Sequence, residues 1–157
     1  MEIRPGNFAD PRVMALLEYH LHEMHAASPP GHVFALDWSA LQKPEISFYT
    51  GRHEGTLVAM GALKDLGDGT GEIKSMRVAT PFLGQGHGAV MLRHIIAEAM
   101  RRRYARLSLE TGSGPAFESA LRLYRKHGFT EGEAFASYQK SAFSQFLHLD
   151  LSSAPHR

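Results

Sequence analysis

Three glycines at alternate positions stand out in the run Thr80-Pro81-Phe82-Leu83-Gly84-Gln85-Gly86-His87-Gly88-Ala89, between a strand-like segment and a strongly amphipathic one. Glycine lets the backbone take otherwise strained dihedrals and approach a ligand closely. The free N–H groups that open a helix, with aligned peptide dipoles behind them, favour a phosphate at that point. The segment therefore reads as a phosphate cradle. It has no Gly-Lys-Ser/Thr ending, so it is not a nucleotide-triphosphatase P-loop.

Gly84-x-Gly86-x-x-Ala89 also satisfies the relaxed dinucleotide fingerprint, with Glu110 about where a ribose-binding carboxylate would sit. Three features weigh against that reading. The preceding strand carries Glu72, Lys74 and Arg77, whereas a parallel strand buried on both faces should be nearly all apolar. Five residues separate Val78 from Gly84, too many for the tight turn of that motif. An antiparallel meander precedes the loop. The histidines His20, His22, His25 and His32 raise a metal site, but no His-Glu-x-x-His pattern accompanies them. Surface histidines are the simpler account, and no metal is expected.

The elements that must position these residues follow from hydrophobic spacing. A short strand at Glu2 to Arg4 is followed by a helix capped by Asp10, opened by Pro11 and running to about Met24. A weaker helical stretch covers Asp37 to Leu41. Three strands, Ile46 to Thr50, Thr56 to Leu63 and Glu72 to Ala79, are joined by short turns at Gly51 to Gly55 and Asp65 to Gly71, which implies antiparallel pairing. A helix from Gly88 to Arg103, a strand from Ala105 to Thr111 and a helix from Pro115 to His127 come next. Gly128 then stops the last helix, and two strands follow, near Phe129 and from about Phe143 to Leu151. The fold class is α/β: a mixed, mostly antiparallel sheet of about seven strands flanked by about four helices.

Composition bounds the function. The 157 residues suit one domain, expected over residues 1–151, with a flexible tail at 152–157. Apolar residues make up 43% and charged residues 21%, as in a globular chain. A formal net charge of +1 gives no electrostatic reason to expect nucleic acid or an anionic membrane as partner. The absence of cysteine excludes disulfides, thiolate metal sites and a cysteine nucleophile. The N-terminus lacks a signal-peptide pattern, and no apolar run approaches the roughly 20 residues that span a bilayer, so the cytoplasm is expected.

Two motifs at a set separation carry a resemblance. The strand, Gly84-Gln85-Gly86-His87-Gly88 and the following helix resemble the pyrophosphate-binding motif of the GCN5-related N-acetyltransferase (GNAT) superfamily. Leu123-Tyr124-Arg125-Lys126-His127-Gly128-Phe129 resembles its later Leu-Tyr-x-x-x-Gly-Phe signature. Ser28-Pro29-Pro30, Gly71 to Arg77 and Ser108 to Gly112 further resemble a subgroup of small bacterial GNAT proteins of poorly defined substrate. Element order agrees over nearly the whole chain. The sequence departs from the pattern at Leu83, where Gln or Arg is usual, at Phe117, where many relatives have asparagine, and across Ala136 to Ser141.

The resemblance implies an acetyl-CoA-dependent N-acetyltransferase acting on an amine of a small molecule or a protein. It implies a splay between the strands ending at Val78 and Glu110, with the backbone at Met76, Arg77 and Val78 holding the pantetheine arm. The amides from Leu83 through Gly84, Gln85, Gly86, His87 and Gly88 to Ala89 would hold the pyrophosphate, and Phe117 and Tyr124 would contact the coenzyme. Tyr124 is the candidate acid for the leaving thiolate. The base is left open between Glu72 first and Glu110 second, either relaying a proton through water. Arg122, Arg125 or Lys126 would reach the 3′-phosphate. One of the four histidines could contact the acceptor. Many relatives pair, which leaves room for a homodimer. The alternative is a non-catalytic acyl-CoA-binding sensor or partner protein on the same fold.

Overall fold

The computed structural model describes residues 1–151, and the tail expected at 152–157 lies outside the described residues. Local chemistry sets the helix starts. The Asp10 carboxylate accepts the Arg12 amide at 2.9 Å and opens α1 (Pro11–Ala27), which runs a turn beyond Met24. Asp37 accepts the Ala40 amide at 2.8 Å and opens the four-residue α2 (Trp38–Leu41). α3 (His87–Arg101) starts from Gly86 in the left-handed region. The segment from Pro115 is not one helix. A 3₁₀ turn, Pro115–Phe117, precedes α4 (Glu118–Lys126), and the Phe117 ring packs edge-on to that of Phe143 at 5.6 Å.

Seven strands form one sheet: β1 (Glu2–Pro5), β2 (Ile46–His53), β3 (Thr56–Asp65), β4 (Gly71–Val78), β5 (Arg106–Thr111), β6 (Thr130–Glu131) and β7 (Gln145–Asp150). Their order is β1-β2-β3-β4-β5-β7-β6, and among the described residues β4–β5 is the one parallel pair. The β2–β3 turn is tighter than the sequence suggested. Pairing continues to His53, and Glu54 and Gly55, both at positive φ, make a two-residue turn whose twist suits a hairpin.

The sheet buries both faces. On the α3 and α4 side lie Leu63, Ile73, Met91, Leu92, Ile95, Leu107, Leu109, Leu121, Phe129 and Leu147. On the α1 and α2 side lie Val13, Leu16, Leu17, Leu41, Phe48, Met60 and Ala62. Each fully buried aliphatic or aromatic side chain contributes about 1.5–3 kcal/mol. His20 belongs to this buried set at 5% exposed, which corrects its reading as a surface histidine; His22 and His25 are exposed, and His32 is partly buried.

One irregularity positions everything below. Ser75 sits at φ 57 where the β3–β4 register slips between Met60 and Ala62. The extra residue puts Lys74 and Arg77 on the same face, opposite Ala62 and Met60. It turns Met76 to the α3 face, where a Cβ on Gly61 would come within 2.7 Å of its sulfur and 2.9 Å of Ile95. β4 and β5 pair only at Gly71↔Leu107 and Glu72↔Ser108 and then part.

Candidate active site

The parting strands and the glycine loop make one continuous groove edge. Beyond Glu72 no strand pairs with β4 on its β5 side among the described residues, so backbone groups from Ile73 to Val78 are open there. At the strand's end the chain makes a 3₁₀ turn, Thr80–Phe82, and enters the loop. Gly84 and Gly86 hold φ 76 and 85, and an added Cβ at either meets nothing within 4 Å. The backbone there faces open space, and the first amides of α3 have no partner within the helix. The Leu83 amide is taken, since it donates to the Thr80 carbonyl at 3.3 Å in the 3₁₀ turn. From Gly84 to Ala89 no backbone amide donates to another backbone group among the described residues. The Leu83 side chain is 61% exposed, and the buried His87 ring lies 5.5 Å from His53.

A buried charged cluster occupies the α1 and α2 face beside the splay. Glu72 is 2% exposed and accepts a hydrogen bond from the Tyr138 hydroxyl at 2.5 Å and from Lys74 Nζ at 3.2 Å. Lys74 Nζ also donates to the Tyr138 oxygen at 2.7 Å. Burial and the neighbouring Glu72 carboxylate push the Tyr138 phenol far above its ordinary range, so it stays a donor. Phe34, between α1 and α2, packs edge-on to Tyr138 at 5.1 Å and roofs this face.

Glu110 completes the cluster from β5. Burial raises its carboxyl to about 7, against a hydrogen bond from Ser144 and the Lys74 charge, which pull it down. Glu72 is tied to a tyrosine and a lysine, and Glu110 is poised to exchange a proton near neutrality.

Tyr124 lies on α4 within the α3-side core, 6% exposed, its ring 5.7 Å from that of Phe129. Burial pushes its phenol well above the usual value. No hydrogen bond to its hydroxyl is made by the described residues.

The model of the acetyltransferase (GNAT) family matches residues 13–129. The chain belongs to that family. It is 42% identical over 149 residues to the uncharacterized N-acetyltransferase YedL of Escherichia coli (strain K12), covering 95% of this chain and 94% of that one. It is likewise 42% identical over 147 residues to the uncharacterized N-acetyltransferase YsnE of Bacillus subtilis (strain 168), covering 94% and 97%. A GNAT acetyltransferase from Elizabethkingia anophelis, solved with acetyl-CoA bound, superposes with a TM-score of 0.66 at 19% identity, covering 95% of this chain and 97% of that one. Membership makes this GNAT chain an acetyl-CoA-dependent N-acetyltransferase.

In this GNAT domain the residues singled out from sequence divide into two groups. Met76, Val78, the loop and α3 form the groove edge; Glu72 and Glu110 share the cluster across it. Phe117 does not join them: it is 6% exposed and packs on Phe143 and Gly112, a core residue. Arg125 is occupied by Glu131 at 2.7 Å, leaving Arg122 and Lys126 exposed on the same helix. Among the described residues no group of three or more His, Cys, Asp or Glu is placed to hold a metal, and no helix is long and apolar enough to cross a membrane. Sequence reading gave no role to Lys74 or Ser144 and marked Tyr138 only within the divergent segment Ala136 to Ser141. Tyr138 and Ser144 sit in a coil segment without periodicity, and Lys74 alternated with Glu72 like any polar strand residue.

Proposed function

We propose that the protein moves the acetyl group of acetyl-CoA to a primary amine by direct attack on the thioester, with Glu110 as base and Tyr124 as acid. The observation that carries this reading is the Glu110 carboxyl, held near 7 by burial on the face beside the splay. A base in that range accepts a proton from an alkylammonium at neutral pH and gives it up again to water.

The residues present fit the substrate. Open space over Gly84 and Gly86 and the free first-turn amides of α3 suit the pyrophosphate, and the unpaired β4 edge at Met76 and Val78 suits the pantetheine amides. Arg122 or Lys126 supplies the cation for the 3′-phosphate. Glu110 takes one proton from the ammonium, directly or through water, freeing the nitrogen lone pair. The N–C bond then forms, the C–S bond breaks, the thiolate takes the Tyr124 proton, and the second proton of the attacking nitrogen returns through water to the Tyr124 oxygen. Lys74 and Tyr138 fix Glu72 and the field around Glu110 rather than exchanging protons themselves.

Free-thiol release from acetyl-CoA with a panel of amines tests this. Amine-dependent turnover in the wild type, lost by at least a hundredfold in Glu110→Gln, is the expected result. Tight coenzyme binding with no turnover on any amine would instead make the chain an acyl-CoA sensor.

A further inference from the structure

Arg77 is a cation that forms no ion pair among the described residues. It lies on β4 on the face away from α3, half-buried, and its Nε–H donates to His20 Nδ1 at 3.0 Å. Its guanidinium stands 5.6 Å over the Tyr19 ring, and the Tyr19 hydroxyl is itself held by Thr80 at 3.0 Å. Accepting through Nδ1, His20 carries its proton on Nε2 and is neutral; burial, then Arg77, pull it down to about 3. Glu23 acts on the guanidinium only at longer range, and no carboxylate among the described residues forms an ion pair with it. One nitrogen is thus pinned and the cation is desolvated, while the terminal nitrogens keep their fork.

A desolvated guanidinium is costly unless an anion joins it. The coenzyme's phosphates are not that anion, because the loop and α3 lie on the other face. The bulge at Ser75 instead sets Arg77 on the face of Lys74, whose charge acts on Glu110. The geometry points to Arg77 as the anchor for a carboxylate on the acceptor: a small amine that bears its own carboxylate, as a free amino acid does, rather than a protein lysine. This rests on the acetyl-transfer reading above. A guanidinium fork matches a carboxylate bidentately, which fixes the acceptor's orientation as well as its charge.

The test compares free L-amino acids with their carboxamides as acceptors, in the wild type, Arg77→Gln and Arg77→Lys. The wild type should favour acids over amides at least tenfold in kcat/KM. Arg77→Gln should bring that ratio to within threefold of one, and Arg77→Lys should keep part of it. Equal use of acids and amides by the wild type would overturn the proposal, as would Arg77→Gln lowering both alike with a lower Tm. If nothing turns over, calorimetry of the same amino acids on coenzyme A-loaded protein decides separately. Binding lost in Arg77→Gln keeps the anion site while the catalytic reading fails; no binding to the wild type overturns the anion site.

Discussion

Tyr138 donates a 2.5 Å hydrogen bond to Glu72, 66 positions earlier in the chain, and so closes the last loop onto the middle of the sheet. Glu72 also accepts from Lys74 Nζ at 3.2 Å, so two donors hold its carboxylate in place. Tyr138→Phe strips the buried Glu72 of a donor, and we expect a loss of about 1–3 kcal/mol in urea denaturation. No change in the midpoint would mean the bond is not made in solution.

Gly86 turns the chain into α3 at φ 85 with open space beside it. Gly86→Val puts a side chain into the proposed pyrophosphate site, and the left-handed backbone costs a further 1–2 kcal/mol or so. Calorimetry should show acetyl-CoA binding weakened at least tenfold in a protein that still melts cooperatively. Unchanged affinity would remove the loop from the coenzyme site.

Among the described residues the Tyr124 hydroxyl has no hydrogen-bond partner to lose. Tyr124→Phe should therefore leave Tm and coenzyme affinity almost untouched while kcat falls about 10- to 1,000-fold. Full activity under chemistry-limited conditions would make Tyr124 a packing residue only.

His20 and Glu110 titrate with opposite effects on stability. His20 is lowered from 6.5 to about 3, so between those values the unfolded chain binds the extra proton and stability falls on acidification. Glu110 is raised from 4.5 to about 7, so in its window the folded chain binds the extra proton and stability rises on acidification. The two windows overlap from 4.5 to 6.5, and each slope is at most about 1.4 kcal/mol per pH unit. Denaturation between pH 6.5 and 5 should show Glu110→Gln losing more stability than the wild type, and His20→Gln losing less or gaining. The same slope in all three would contradict both burial effects.

The sequence made the fold legible where local rules and element order agree: the Asp10 and Asp37 caps, the antiparallel meander, the glycine loop and the Leu-Tyr-x-x-x-Gly-Phe run. It concealed what depends on register. The slip at Ser75, which sets Lys74 and Arg77 on one face, leaves no mark in an alternating strand. Tyr138 and Ser144 reach the site from a coil segment whose path no periodicity predicts. His20 was readable, since it stands four residues after Leu16 and three after Leu17, on the buried face of α1. We propose Glu110 rather than Glu72 as base because Lys74 and Tyr138, the latter 66 positions away, hold Glu72, and no local pattern marks that contact.

The pH dependence of kcat/KM, followed by thiol release with a good amine, tests the assignment of Glu110 most directly. A base at about 7 must be ionised to act, so the wild-type profile should rise to a plateau through an apparent pKa near 7. Glu72→Gln should keep a limb of that form. Glu110→Gln should lower the plateau at least a hundredfold and abolish the limb. A limb near 7 that survives in Glu110→Gln would contradict the account and give the proton to another group.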